Sequence, residues 1–340
     1  MHRCTLAIVL LLTPTVLAQN AVGYHVTHTY ELGGEGAWDY IVPQPSQHRV
    51  YIGRTNRVMV VDTNDGRLIG EVSGIKGAHG TAIAESSGHG FATSGNDESI
   101  VMFDLKTFKE LGRLSAAEDA DAIVYDAASN RVFSLNGDAH SSTVVDAASG
   151  KLVTNIPLGG KPEYGAAVDG KVYANLTDTS EVVEIDAKAA KVTRRWATAP
   201  CKQPVSMAVD TKNHRMFSGC RNGTLAVSDY QSGRTITTLP IGMGVDGAGY
   251  DPLYGDVFAS NADGTLTVVH QDQADKYHVV GNVMTPIGSR NMGLDPTTHR
   301  IYVAAASFAA PSAPVAGGQP GRGGRPSVVP GTFKLLVIER

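Results

Sequence analysis

The sequence predicts an all-β fold, a seven-bladed β-propeller with four-stranded blades. A motif of an aliphatic residue, an aromatic anchor and small residues recurs, with successive anchors 40, 42, 40, 44, 41 and 44 residues apart. Shortly after most anchors, an apolar stretch ends in an acidic residue. The 38 glycines favour sharp turns over helices, and short strands repeating every ~40–45 residues are typical of propeller blades. The anchors are Tyr51, Phe91, Phe133, Tyr173, Phe217, Phe258 and Tyr302.

Each repeat contains four short strands, which follow one another along the chain. In blade five, the inner strand covers residues 205–209 and the anchor strand covers residues 215–218. A third strand ends in the acid, which we expect to cap the next turn, and an outer strand such as residues 151–158 completes the blade. Apolar alternation in these stretches fits strands packed between neighbouring sheets. The strand-ending acids are Asp62, Asp104, Asp146, Asp186, Asp229 and Glu339, with His270 at this position in the sixth repeat.

The two ends of the chain predict how the ring closes. The seventh repeat stops after its third strand at residues 339–340, and residues 26–34 resemble the outer-strand stretch 153–160. We therefore expect residues 24–33 to be the outer strand of blade seven, which removes exposed sheet edges. A single propeller domain then covers residues 19–340, with a flexible Gly/Pro-rich insertion at residues 309–331.

Residues 1–18 are predicted to be a signal peptide. The basic residue Arg3 precedes an apolar run at residues 6–12, and Val16 and Ala18 stand at positions −3 and −1 of a cleavage site. The run is far shorter than the roughly 20 apolar residues of a membrane span, so no span is expected. We therefore expect a periplasmic or secreted protein.

Two kinds of stretch carry a family resemblance. One surrounds the anchors, as at residues 257–261 (VFASN) and 132–136 (VFSLN), and the other is a strand with its turn, as at residues 144–151 and 60–66. On these stretches the chain resembles the YVTN-type, or YncE-like, propeller repeat family over nearly the whole mature sequence. The resemblance implies an exported seven-bladed propeller. It does not imply one activity, because similar propellers serve as binding modules, as housings for redox cofactors and as lyases.

Propellers bind ligands in the central funnel, where the inner strands begin. Counting back from each anchor places a charged or aromatic residue at this position in most blades. Three carboxylates around one axis would repel one another, which raises a pKa or requires a cation. The residues predicted to line the funnel are Trp38, Asp39, His79, Asp121, Glu163, Tyr164, Asp246, Arg290 and Asn291.

Three interpretations of the funnel stay open. One is a divalent metal site, whose oxygen and imidazole ligands would be Asp39, His79, Asp121 and Asp246. A second is an acid/base site in which His79 or an aspartate is the base and Arg290 clamps a substrate carboxylate. In the third, Arg290 pairs with Asp246 and the other side chains face a water-filled channel.

These interpretations lead to two functions. The first is an exported binding or scaffold protein that recognises a small polar ligand or a protein partner at its funnel. The second is a metal-assisted lyase or hydrolase with its active site in the same funnel, and the one cofactor considered is a divalent metal ion. The formal net charge of −4 argues against a nucleic-acid partner. We expect a monomer.

Cys201 and Cys220 are predicted to form a disulfide bond. Cys201 precedes the inner strand of blade five and Cys220 follows its anchor strand, so both lie at the funnel end of one blade. Export would supply the oxidising conditions that the bond requires. The alternative is a pair of unlinked thiols.

The loops that follow the anchor strands reach the same face of the propeller. Most of their polar residues are predicted to shape turns, because Asn tolerates left-handed backbone. These loop residues are Arg54, Asn96, Asn136, His140, Asn175, Arg221 and Asn261.

Overall fold

The computed structural model describes residues 23–310 and 327–340, which form seven antiparallel sheets of four strands each. The strands in chain order are β1 (His25–Glu31), β2 (Ile41–Gln44), β3 (Arg49–Arg54), β4 (Arg57–Asp62), β5 (Leu68–Ser73), β6 (Ala78–Ala84), β7 (His89–Ser94), β8 (Ser99–Asp104), β9 (Glu110–Ser115), β10 (Ala120–Asp126), β11 (Arg131–Asn136), β12 (Ser141–Asp146), β13 (Leu152–Pro157), β14 (Pro162–Val168), β15 (Lys171–Leu176), β16 (Glu181–Asp186), β17 (Lys191–Ala197), β18 (Pro204–Asp210), β19 (Arg215–Cys220), β20 (Thr224–Asp229), β21 (Arg234–Pro240), β22 (Val245–Asp251), β23 (Asp256–Asn261), β24 (Thr265–Gln273), β25 (Lys276–Met284), β26 (Met292–Asp295), β27 (Arg300–Ala305) and β28 (Lys334–Glu339). Short 3₁₀ turns cover Pro45–Gln47, Glu85–Ser87 and Gly95–Asp97.

The sheets are the predicted blades. Blades one to six each take four consecutive strands, beginning with β2, β6, β10, β14, β18 and β22. Blade seven consists of β26, β27, β28 and, as its outer strand, β1. The inner strands of neighbouring blades contact one another around the whole ring, including β26 with β2. The seven-bladed all-β fold is therefore confirmed.

The N-terminal strand closes the ring as predicted. β1 runs antiparallel to β28, with His25 opposite Glu339 and Glu31 opposite Lys334. Just before β1, the hydroxyl of Tyr24 donates a hydrogen bond to Asp256 Oδ2 of blade six at 2.8 Å. β1 is thus held by a full strand pairing with β28 and, through Tyr24, by a buried contact with the preceding blade.

The aromatic anchors lie in the cores between blades. All seven are buried, with at most 3% of their surface exposed. Tyr51 packs against Phe103 of the next blade at 6.2 Å between ring centroids, and Phe217 stacks on Tyr250 at 5.4 Å. Full burial of a large apolar side chain contributes about 1.5–3 kcal/mol. The anchor repeat is therefore the packing unit that joins each blade to its neighbour.

The strand-ending acids cap the turns that follow them. Asp146 Oδ1 accepts hydrogen bonds from the backbone nitrogen and the hydroxyl of Ser149, at 2.8 and 2.7 Å. These bonds lower the pKa of Asp146. Blade six differs, because His270 takes this position and faces Asp256 across the sheet at 2.7 Å. Capping by the five aspartates of the row agrees with the predicted structural role, whereas Glu339 at the end of β28 accepts a hydrogen bond from Arg300 Nε at 2.8 Å instead.

The disulfide between Cys201 and Cys220 is present, with 5.7 Å between the Cα atoms. Cys201 lies in the connection from β17 to β18, and Cys220 is the last residue of β19. Both residues are fully buried. The bond fastens the connection between blades four and five to the anchor strand of blade five.

Two predicted segments fall wholly or partly outside the described residues. They are the signal peptide, residues 1–18, and residues 311–326 of the insertion. The described ends of the insertion pair with each other, because Phe308 and Val328 form an antiparallel bridge and the nitrogen of Ala309 donates to the carbonyl of Ser327 at 2.8 Å. Within the described chain, no helix has the length and apolar character needed to cross a membrane.

Candidate functional site

Six side chains from five blades form one connected polar cluster where the inner strands begin, which we call the axial network. Its contacts begin at blade three, where Asp121 Oδ1 lies 3.4 Å from His79 Nδ1. His79 Nδ1 lies 2.7 Å from Asp39 Oδ2, and the amide of Asn291 donates to Asp39 Oδ1 at 3.3 Å. The members are Asp39, His79, Asp121, Asp246, Arg290 and Asn291, all predicted for the funnel.

The second half of the axial network is an ion pair. Arg290 Nε donates to Asp246 Oδ2 at 2.8 Å, and Asn291 Nδ2 reaches the same oxygen at 3.4 Å. Asn291 therefore bridges the two aspartates of blades one and six. The predicted pairing of Arg290 with Asp246 is present, and it belongs to the larger network.

β-Bulges at the starts of three inner strands direct the side chains of His79, Asp121 and Asp246 toward the axis. In blade two the pairing with β7 shifts between Ala78 and Thr81, and His79 lies in the interruption. The same interruption falls at Asp121 in blade three and at Asp246 in blade six. Bulges bend a strand and redirect the side chain at the unpaired position. Local backbone irregularity thus presents polar residues that regular pairing would direct elsewhere.

Close backbone contact places His79 next to blade one. A Cβ atom on Gly53 would lie only 2.2 Å from the carbonyl oxygen of His79, so a side chain at this position is excluded. Gly95, which directly follows β7, approaches the imidazole itself, because a Cβ atom there would lie 3.1 Å from His79 Nε2. The imidazole is therefore confined, with its Nδ1 edge toward the two carboxylates.

His79 is held as a cation by its surroundings. Burial alone lowers its pKa, but the hydrogen bond to Asp39 and the negative charges of Asp121 and Asp39 outweigh burial. The result raises the pKa of His79 from 6.5 to about 9. A protonated imidazole thus sits between two carboxylates at neutral pH.

The pKa values of three carboxyl groups in the funnel, those of Asp121, Asp246 and Glu163, are raised. Burial, followed by the charge of Asp39, raises the pKa of Asp246 to about 6 in spite of Arg290. The same two causes raise the pKa of Asp121. Burial also raises the pKa of Glu163, although Arg221 lowers it through a contact of 3.2 Å. Negative charge is therefore crowded at this end of the axis.

Two tyrosines lie beside the axial network. The hydroxyl of Tyr40 donates to the backbone carbonyl of Glu163 at 2.6 Å, and its ring lies 5.3 Å from that of Tyr164. Burial raises the pKa of Tyr164 to about 12, so its hydroxyl remains protonated. Tyr164 was predicted for the funnel, whereas Tyr40 was missed. Its position directly after Asp39 was the available signal.

Trp38 lies apart from the axial network. Its indole packs against Phe333 and Phe308, with ring centroids 5.5 and 5.8 Å apart. It lines a cavity of about 610 Å³ that Arg290 also borders. Trp38 therefore belongs to the wall of a neighbouring cavity rather than to the polar cluster.

Most polar loop residues after the anchor strands are structural. Arg54 is fully buried and donates to the backbone carbonyls of Glu35 and Gly36 at 2.8 and 3.0 Å. Asn175 is also fully buried and donates to the carbonyl of Ser206 at 2.9 Å. Arg221 differs, since it pairs with Glu163 at the edge of the funnel.

Three residues of the axial network could hold a metal ion. Asp39, His79 and Asp121 each offer one ligand atom, and these atoms all lie within 4.8 Å of one another. Carboxylate oxygens and imidazole suit several divalent cations. A metal would have to displace the proton on His79 Nδ1. The fourth predicted ligand, Asp246, is outside this group and pairs with Arg290.

No protein-family model matches the chain, and no curated protein matches it. Solved structures do match, and one of them is described as the structure of U3-55K. Its TM-score is 0.73 at 10% identity, and the match covers 94% of this chain and 99% of that one. This likeness supports the fold alone. Together, the fold and the axial network define a seven-bladed β-propeller with a polar, charged funnel.

Proposed function

We propose that this propeller is a binding protein that recognises a small polar ligand at the axial network. One observation carries the proposal: bulges and strand starts from five blades direct six polar side chains into one connected cluster on the axis. Propeller cores need no such cluster, because the apolar anchors already pack the blades. Half-buried ionisable groups with shifted pKa values are typical of functional sites.

The charges of the funnel indicate which ligand would bind. With His79 protonated and every carboxyl group ionised, the funnel would hold four negative and three positive charges, a net charge of −1. The carboxylates are those of Asp39, Asp121, Glu163 and Asp246, and the cations are His79, Arg221 and Arg290. The raised pKa values of Asp121, Asp246 and Glu163 mean that this charge is unfavourable in the free protein. A ligand with an ammonium group or several hydroxyl donors would relieve it. We therefore infer an organic amine or a polyhydroxy compound.

Thermal unfolding tests this proposal. The protein is heated with a panel of organic ammonium compounds and sugars, and a ligand present at 100 times its Kd would stabilise the fold by about 2.7 kcal/mol. Asp39→Asn should abolish the response. Asp65→Asn is the matched control, because Asp65 lies in an exposed turn of the same blade. No response to any compound, or an equal response in Asp39→Asn, would contradict ligand recognition at the funnel.

A metal-assisted lyase or hydrolase is the second candidate. It is favoured by the three converging ligand atoms of Asp39, His79 and Asp121. Elemental analysis of the purified protein distinguishes the candidates, because only the second requires a stoichiometric divalent metal. Metal affinity should also rise with pH through about 9, as the proton on His79 is released.

We also propose that the protein is exported and that it belongs to the YVTN-type propeller family. The buried disulfide is compatible with folding in an oxidising compartment, and the repeat resembles that of YVTN-type propellers. The N-terminus of the protein isolated from its native cells should begin at Gln19 after cleavage of residues 1–18. A retained Met1 in protein recovered from the cytoplasm would contradict export.

A further inference from the structure

A cavity of about 610 Å³ lies beside the axial network, where blades six, seven and one meet. Its wall is formed by the turn before β2, by the connection from β25 to β26, and by the bridge between Phe308 and Val328. Cavities of about 300–1,000 Å³ are the usual size for small-molecule sites. The space is therefore large enough for a compact organic ligand.

The wall of the cavity is mainly apolar. Trp38 and Phe308 form an aromatic side, and Val328 and Ile287 contribute aliphatic surface. The side chain of Ile287 is 77% exposed. Covering this surface with an apolar group would be favourable, at about 25 cal/mol for each Å² removed from water.

Arg290 borders the cavity, and Arg54 lies behind the backbone that forms part of its wall. Arg290 uses Nε for Asp246, and neither of its terminal nitrogens has an acceptor within residues 23–310 and 327–340. Arg54 is fully buried behind the wall, where it donates to the backbone of Glu35 and Gly36 and forms no ion pair with a described carboxylate. A guanidinium edge with two terminal nitrogens suits a planar carboxylate.

We propose that the cavity binds a small carboxylate with an apolar aryl or branched alkyl tail, beyond the polar ligand of the axial network. The carboxylate would accept hydrogen bonds from the terminal nitrogens of Arg290. The tail would lie against Trp38, Phe308 and Ile287. Arg290 thus contacts both sites, one through Nε and Asp246 and the other through its terminal nitrogens.

Titration with three related probes tests the proposal: phenylbutyrate, phenylbutylamine and butyrate. Phenylbutyrate should bind at millimolar Kd, as expected from about 0.3 kcal/mol per heavy atom. Phenylbutylamine has the opposite charge and butyrate lacks the ring, so each should bind at least about 10-fold more weakly. Equal binding of the amine, or no binding of phenylbutyrate, would overturn the proposal.

Single substitutions test whether phenylbutyrate binds in this cavity. Ile287→Glu places a like charge at the mouth and should weaken phenylbutyrate by about 10-fold, and its exposure leaves folding unaffected. Leu253→Glu is the matched control and should bind normally, because Leu253 is also an exposed large aliphatic residue, 62% exposed, and lies on the turn between β22 and β23. Failure of the cavity and failure of the funnel can be told apart, because the ammonium and sugar panel reports on the funnel and phenylbutyrate reports on the cavity. Unchanged binding in Ile287→Glu would place the ligand elsewhere and overturn the assignment.

Discussion

Replacing Asp39 by Asn should lower the pKa of His79 strongly. Asp39 accepts the hydrogen bond from His79 Nδ1 at 2.7 Å and supplies one of the two nearest negative charges. In the native protein the pKa of His79 is raised from 6.5 to about 9, which corresponds to about 3 kcal/mol between the two protonation states. Without Asp39, burial again opposes the charge, and Asp121 at 3.4 Å is the nearest carboxylate that still favours it. The pKa of His79 should therefore fall by about 2.

The same pKa fixes how stability depends on pH. Because the pKa of His79 is higher in the folded state, its contribution is fully present below about pH 6.5 and is lost as the pH rises through about 9. The free energy of unfolding of the native protein should thus decrease across this interval. In Asp39→Asn, the decrease should be largely absent.

Histidine NMR between pH 5 and 10 measures this directly. The chain has 11 histidines, and the signal of His79 is assigned by its loss in His79→Gln. Asp272→Asn is the control, because Asp272 pairs with the exposed His278 on blade six and should leave His79 unchanged. A native His79 that titrates near 6.5, or one that does not respond to Asp39→Asn, would refute the geometry of the axial network.

Three further predictions concern closure, the disulfide and the funnel carboxylate. Deleting residues 23–33 should lower the melting temperature sharply, since blade seven loses its outer strand, and an unchanged melting temperature would contradict the closure. Replacing Cys201 and Cys220 together by Ala should lower the free energy of unfolding in urea by about 3 kcal/mol, whereas an equal urea midpoint would argue against the bond. Asp246→Asn should flatten the fall in stability between pH 4 and 7, because the raised pKa of Asp246, about 6, makes its ionisation costly to the fold; an unaltered pH profile would count against this.

The blades, their number and their closure could be predicted from the sequence because each repeat carries the same packing residue. The anchors alternate with small and aliphatic residues, and that pattern determines which face of each strand is buried. The disulfide followed from the same register, since Cys201 and Cys220 fall at the start and end of antiparallel neighbours. Because the same local pattern recurs in every repeat, it predicts the arrangement of the whole fold.

The meeting of polar side chains where the inner strands begin could be predicted, but the geometry of their contacts could not. Asp39, His79, Asp121, Asp246 and Arg290 do meet, but the bulges at His79, Asp121 and Asp246 depend on pairing across strands and cannot be read from composition. The burial of Arg54 could not be predicted either. Its side chain donates to backbone carbonyls of residues 33–37, and the path of that segment is not evident from the sequence. The position of Trp38 also could not be predicted, because its indole packs against Phe333, which is nearly 300 residues later in the sequence.

The position of a bound ligand tests the central claim most directly. The panel compound that stabilises the protein most would be soaked into crystals, and the structure would be determined at a resolution that shows its hydrogen bonds. Our account predicts density on the propeller axis, with a donor of the ligand within hydrogen-bond distance of the carboxylate of Asp39 or Asp246. A ligand bound on the outer surface of the blades, with only water at the axial network, would contradict it.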